Sequence, residues 1–153
     1  MDLNYIIFVV VELIAFTLLY KSLPHRNIEN TKPSFSVFPK FKTKVKLPAT
    51  LLESENVEKE LEKLLSEYGF VKKSQKNSVT KYSRGHVLGD FSIKLLNINL
   101  LVTKPQSGVV EFAIEAGWVA AFDTGDFRQF LTELKAKVET KEKENDRNFK
   151  KQS

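Results

Sequence analysis

Apolar and polar positions follow several different rules along this chain. The first is an unbroken apolar run, Leu3 to Tyr20 (LNYIIFVVVELIAFTLLY), in which Glu12 is the only charge among eighteen residues. A run that is apolar all round predicts a helix buried on every side. At ~1.5 Å per residue it would be about 27 Å long, close to the hydrocarbon thickness of a bilayer. Twelve of the eighteen are Leu, Ile, Val or Phe. These contribute roughly −3.6 to −7 kcal/mol to insertion, against a cost on the order of 3 kcal/mol for a central acid. Tyr5 and Tyr20 stand near the two ends, where amphipathic rings favour the interface. The expectation is a transmembrane anchor over 1–22. A cleaved signal peptide fits less well, because no cation follows Met1 and no Ala-x-Ala site follows the core; a buried core helix is the other alternative.

Beyond residue 22 periodicity is lost until Lys40. Pro24, Pro33 and Pro39 with interspersed Ser, Asn and Thr predict a flexible linker over 23–39. Lys40 to Lys46 then alternates strictly, four lysines on one side and Phe41, Thr43 and Val45 on the other, as an edge strand does. Val57, Leu61, Leu64, Leu65 and Tyr68 make one face of a helix over Ser54–Tyr68, with Thr50, Ser54 or Asn56 to start it and Gly69 to end it. Phe70–Lys76 and Ser78–Arg84 flank Asn77 as a hairpin. Asp90–Lys104 changes phase near Leu95–Asn97, which predicts a bulge within one long strand. After a turn at Lys104–Gly108, Val109–Phe122 is a strand with Val110, Phe112, Ile114 and Ala116 facing one way and Glu111 and Glu115 the other. Phe127, Phe130, Leu131, Leu134 and Val138 mark a second amphipathic helix, capped by Asp126 with Gln129 at its third position. The charged tail 139–153 is expected to be disordered.

The order β-α-β-β-β-β-α over 40–138 predicts an α+β fold: after the N-terminal transmembrane helix, a two-layer domain with an antiparallel sheet and two helices on one face. In topology alone, over Lys40–Val138, this order resembles the TATA-binding-protein-like arrangement and is similar to helix-grip lipid-binding domains. It carries no sequence motif of either, so the resemblance implies a fold and no activity.

Charge modifies this picture chiefly through its distribution. The net charge is +5, but residues 47–138 balance and the excess lies in 21–46. A nucleic-acid partner, which would need cations on the folded surface, is therefore not expected. Lys21, Arg26 and Lys32 follow the span and no Lys or Arg precedes it, so the positive-inside rule places the domain on the cytoplasmic side, the extracytoplasmic side being the alternative. The chain has no cysteine and two distant histidines, His25 and His86, which exclude a disulfide scaffold, thiolate catalysis and a His-rich metal site. No cofactor is expected.

Few residues suggest chemistry. Glu12, an acid within the span, points to a partner helix from another chain. Lys40, Lys42, Lys44 and Lys46 are candidates for contact with anionic lipid headgroups, beside their role as a protected strand edge. Asp123-Thr124-Gly125 is similar to the aspartic-protease motif, but a helix follows it at once, so the expected role is a strand-to-helix turn with Asp123 or Asp126 as a cap. Arg84-Gly85-His86 with Asp90 lacks a nucleophile at a definable spacing and is expected to be a polar loop. Trp118 is expected to pack. Together these features predict a single-pass, non-enzymatic membrane protein whose small domain mediates protein interaction or assembly. The alternative is a membrane-tethered lipid or apolar-ligand binding domain; a hydrolase ranks third.

Overall fold

The computed structural model describes residues 2–31, 36–47, 57–85, 97–105, 107–117, 122–123 and 125–149. It is an α+β molecule: an apolar N-terminal helix α1 (Leu3–Ser22), a mixed six-stranded sheet and two further helices. The strands are β1 (Arg26–Asn27), β2 (Ser36–Val37), β3 (Lys40–Lys46), β4 (Val71–Lys76), β5 (Val79–Arg84), β6 (Ile98–Thr103), β7 (Val109–Ala116) and β8 (Phe122–Asp123); the helices are α2 (Val57–Glu67) and α3 (Asp126–Phe149).

The main sheet runs β1-β3-β7-β6-β5-β4, and β2 pairs separately with β8. From β3 to β4 the sheet is antiparallel as predicted; β1 makes it mixed by pairing parallel to β3. Strands β3 and β4 run the same way at opposite sides of the meander, so the chain crosses the sheet between them, with α2 on that path. The two-residue turn Asn77-Ser78 closes the β4–β5 hairpin, with Asn77 at φ 54°. All six residues of β4 are exposed, and its three lysines protect the free edge.

Pleat parity fixes the core. Phe41, Thr43 and Val45 of β3 share the inner face with Val110, Phe112, Ile114 and Ala116 of β7 and with Ile98, Leu100 and Val102 of β6. Leu61, Leu64 and Leu65 of α2 and Phe127, Phe130, Leu131, Leu134 and Val138 of α3 close this face. Helix α2 ends in a Schellman turn: the Phe70 N–H donates to Leu65 O (3.1 Å), and the N–H of Gly69, at φ +77°, donates to Ser66 O (2.9 Å).

Three stretches differ from expectation. Residues 23–31 and 36–39 are packed rather than tethered. Ile28 belongs to the core, Ser36 is buried and β1 and β2 both pair. Scattered apolar residues with no period can still anchor irregular chain, and Pro24 and Pro39 restrict its alternatives. Strand β7 ends at Ala116, short of Phe122. The 139–153 tail is helical through Phe149; Glu and Lys are strong helix formers. The start signals at Thr50, Ser54 and Asn56, the 90–96 half of the long strand, and His86, Asp90 and Trp118 lie outside the described residues.

Candidate functional site

The feature that organises the molecule is the joint between α1 and the sheet. Helix α1 is long and apolar enough to cross a membrane. Its side chains are exposed or half-exposed until Tyr20, which is 1 % exposed. The Tyr20 hydroxyl donates to Pro39 O (3.0 Å) and accepts from the Ala116 N–H (3.0 Å). One ring thus links the helix, the approach to β3 and the last residue of β7. Phe38 packs against the rings of Phe16 and Tyr20, with centroids 5.2 and 6.4 Å apart. Its φ of 50° is rare for a bulky residue; packing on both rings holds it there.

A buried charge cluster completes the joint. Lys40 is 4 % exposed, and its ammonium donates to Lys21 O (3.1 Å) and Tyr20 O (3.5 Å), placing a cation on the carbonyl end of α1. The Glu115 carboxylate lies 3.3 Å from Lys40 Nζ and 3.3 Å from His25 Nε2. Burial pushes the Glu115 carboxyl upward, but the adjacent His25 ring and the Lys40 charge outweigh it and hold the group below its ordinary range. On the neighbouring strap Arg26 donates to the Ser36 hydroxyl and Val37 O and stacks over Phe41, while Glu29 pairs with Lys135 of α3 at 2.7 Å.

The lysine row is therefore divided. Lys40 is withdrawn from any lipid surface because its ammonium is spent on carbonyls and Glu115. Lys42 pairs with Glu111 at 3.5 Å, and Lys44 and Lys46 are exposed. Lys46 lies six residues, about 20 Å of strand, beyond Lys40, so the exposed pair is at the far end of β3 from the joint.

Glu12 remains on the outer part of α1, and no described residue pairs with it. Val9, Leu13, Ala15, Phe16 and Leu19 share this side of α1 with it.

Asp123 is 2 % exposed, and its Oδ1 accepts from the Phe127 N–H (3.3 Å) at the start of α3. Gly125, at φ +107°, turns the chain into the helix. The cap is thus Asp123, while the Gln129 side chain bonds Glu133 (2.8 Å) rather than closing a capping box with Asp126. Burial raises the Asp123 carboxyl above its usual range, against hydrogen bonds from backbone N–H groups that lower it. Arg84, at the end of β5, stacks over Phe70 and Phe130 and donates to Tyr68 O. Sequence reading missed the roles of Tyr20 and His25; the only available signal for Tyr20 was its place at the end of the apolar run. Neither protein-family models, nor curated proteins, nor solved structures give a match to this chain.

Proposed function

We propose that this chain is a single-pass, non-enzymatic membrane protein whose cytoplasmic-side domain holds its anchor helix in a fixed orientation for assembly with a partner helix. The observation that carries this reading is Glu12 exposed on a helix whose end is packed into the domain core. An acid at mid-span is costly, and it is stabilised best by a donor or cation on a neighbouring helix. Ala15 beside it permits close approach. A helix on a loose tether would rotate freely; the Tyr20–Lys40 joint presents the Glu12 face in one direction relative to the domain.

Photo-crosslinkers at Ala15 and Leu19, compared with Ile14 and Leu18 on the other flank, test the reading in native membranes. Capture of one protein from the Glu12 side, lost in Glu12→Leu, is expected. Recovery of uncrosslinked monomer from both sides would defeat it. For the orientation, protease added outside sealed right-side-out vesicles should leave the domain intact. The lipid-cavity alternative receives less support: Val45, Phe112, Ile114, Leu131 and Leu134 fill the space between sheet and helices, where a lipid would need about 300 Å³ or more.

A further inference from the structure

Residues 47–138 balance in charge, but the charges are not mixed in space. Helix α2 carries Glu58, Glu60, Glu62 and Glu67 against Lys59 and Lys63, and it packs on the inner face of the sheet. Cations gather on the outer face. Pleat parity there aligns Lys42 of β3, Ala113 of β7, Leu101 of β6, Lys81 of β5 and Ser74 of β4 in one row across five strands. Further from the α1 joint, Lys44 stands opposite Glu111 and Lys46 opposite Val109, while Lys76 of β4 pairs with Val79 and Val79 with Thr103. Lys44, Lys46 and Lys76 are exposed, and Lys42 and Lys81 are half-buried. Glu111 is the only acid among the described residues of this half of the face, and it lies 3.5 Å from Lys42. Setting that pair aside leaves Lys44, Lys46, Lys76 and Lys81 as excess positive charge.

The lysines form two flanks. Lys42, Lys44 and Lys46 follow β3, and Lys81 and Lys76 follow β5 and β4. With β7 and β6 between them, β3 and β5 are three spacings apart, about 14 Å. The floor between the flanks keeps accessible apolar surface: Val109 is 37 % exposed, and Leu101, Thr103 and Val79 are half-buried. One α-helix with its side chains is about 10–12 Å across, so the flanks are spaced to straddle a single helix.

We infer that this half of the outer face docks an acidic amphipathic helix of a partner protein, its apolar residues on Leu101 and Val109 and its carboxylates toward the two lysine flanks. Complementary charge orients such a helix and speeds its encounter, and the apolar floor adds what charge alone does not. Glu111 opposes it little, because Lys42 already neutralises that carboxylate. A nucleic acid fits less well: none of the described residues of this face is aromatic, and stacking on aromatic rings is what holds a single strand. A bilayer surface also fits less well, because α1 joins the sheet at the other end of β3. This inference is independent of the Glu12 reading.

Fluorescence anisotropy with the full chain in zwitterionic nanodiscs, at about 0.1 M salt, tests it. The probe is a labelled glutamate peptide with leucine at every fourth position; its leucine-to-serine analogue and a single-stranded oligonucleotide of equal charge are the comparisons. The leucine peptide is expected to bind saturably, the serine analogue about threefold or more weakly, and the oligonucleotide more weakly than either. Lys44→Glu with Lys76→Glu, one exposed lysine from each flank, should weaken the leucine peptide about tenfold or more. Lys59→Glu with Lys63→Glu makes the same change of charge on α2, where screening separates it from the outer face, and should leave affinity within about twofold. Absence of saturation, equal binding of the leucine and serine peptides, an oligonucleotide that binds as well as the leucine peptide, or equal losses in the two double variants would overturn the inference. Self-association of the chain that Lys44→Glu with Lys76→Glu abolishes would overturn it too, since the occupant would then be a second copy.

Discussion

The two long helices at opposite ends of this chain distribute their apolar residues in different ways. Helix α3 has an apolar stripe, Phe127, Phe130, Leu131, Leu134 and Val138, laid on the sheet, and polar residues elsewhere. Helix α1 has no stripe: Leu3, Tyr5, Phe8, Val11, Ile14 and Leu18 point away from the protein on all sides, and only its last turn enters the core. A stripe is what water requires of a helix, and an apolar surface all round is what lipid requires. The contrast identifies Tyr20 as the boundary residue, where the environment of α1 changes from outside the protein to inside it.

Breaking that boundary should have the largest effect. Tyr20→Ala removes a fully buried ring and should lower domain stability by about 3–5 kcal/mol, read from denaturant unfolding of the full chain in detergent. Tyr20→Phe keeps the ring but orphans the Ala116 N–H, at about 1–2 kcal/mol. An unchanged midpoint in Tyr20→Ala would mean that α1 does not dock. Next comes Lys40→Met, which uncaps α1 and leaves Glu115 with His25 alone. Since Glu115 keeps some solvent, the expected loss is roughly 2–3 kcal/mol, beneath the ~3–5 of a fully buried pair.

At the opposite helix the cap is worth less. Asp123→Ala should cost about 1 kcal/mol, whereas Asp123→Asn keeps an acceptor and should be nearly neutral. Half-buried Glu115 and buried Asp123 then separate by pH. Glu115, lowered in the fold, adds stability that is present above its ordinary value of 4.5 and is lost as pH falls through its folded pKa. Asp123 is raised, so its contribution is fully present below its ordinary value of 3.8 and is lost as pH rises through the folded pKa. Glu115→Gln should flatten the acid limb of the stability profile, and Asp123→Asn should steepen it. The smallest effect belongs to the exposed lysines. Lys44→Gln with Lys46→Gln should change stability by less than about 0.5 kcal/mol, and vesicle flotation should show little dependence on anionic lipid.

The alternation at Lys40–Lys46 and Val109–Ala116 was readable because a pleat has a period of two and one side is buried. Gly69 was readable as a helix end because few residues tolerate positive φ. The strap between α1 and β3 was not. Its contacts are single residues, Ile28, Arg26, Ser36 and Pro39, each fixed by a partner distant in sequence, and no local pattern records them. Lys40 shows the limit most clearly. Its sequence neighbours make it one of four equivalent lysines, yet Glu115 and the carbonyls of α1 make it a buried cap. Asp123 was one of two possible caps, and the choice between them depended on where β8 ends beside β2.

By itself, the sequence determined the apolar helix, the strand parities and the two amphipathic faces, because each is a repeat enforced by local backbone geometry. Only the tertiary structure decided that the last turn of the helix is joined to the sheet through Tyr20, that Glu115 unites His25 with Lys40, and that Arg84 stacks between Phe70 and Phe130. Those facts are meetings between residues far apart in the chain, and a buried charge acquires its meaning from what surrounds it in space.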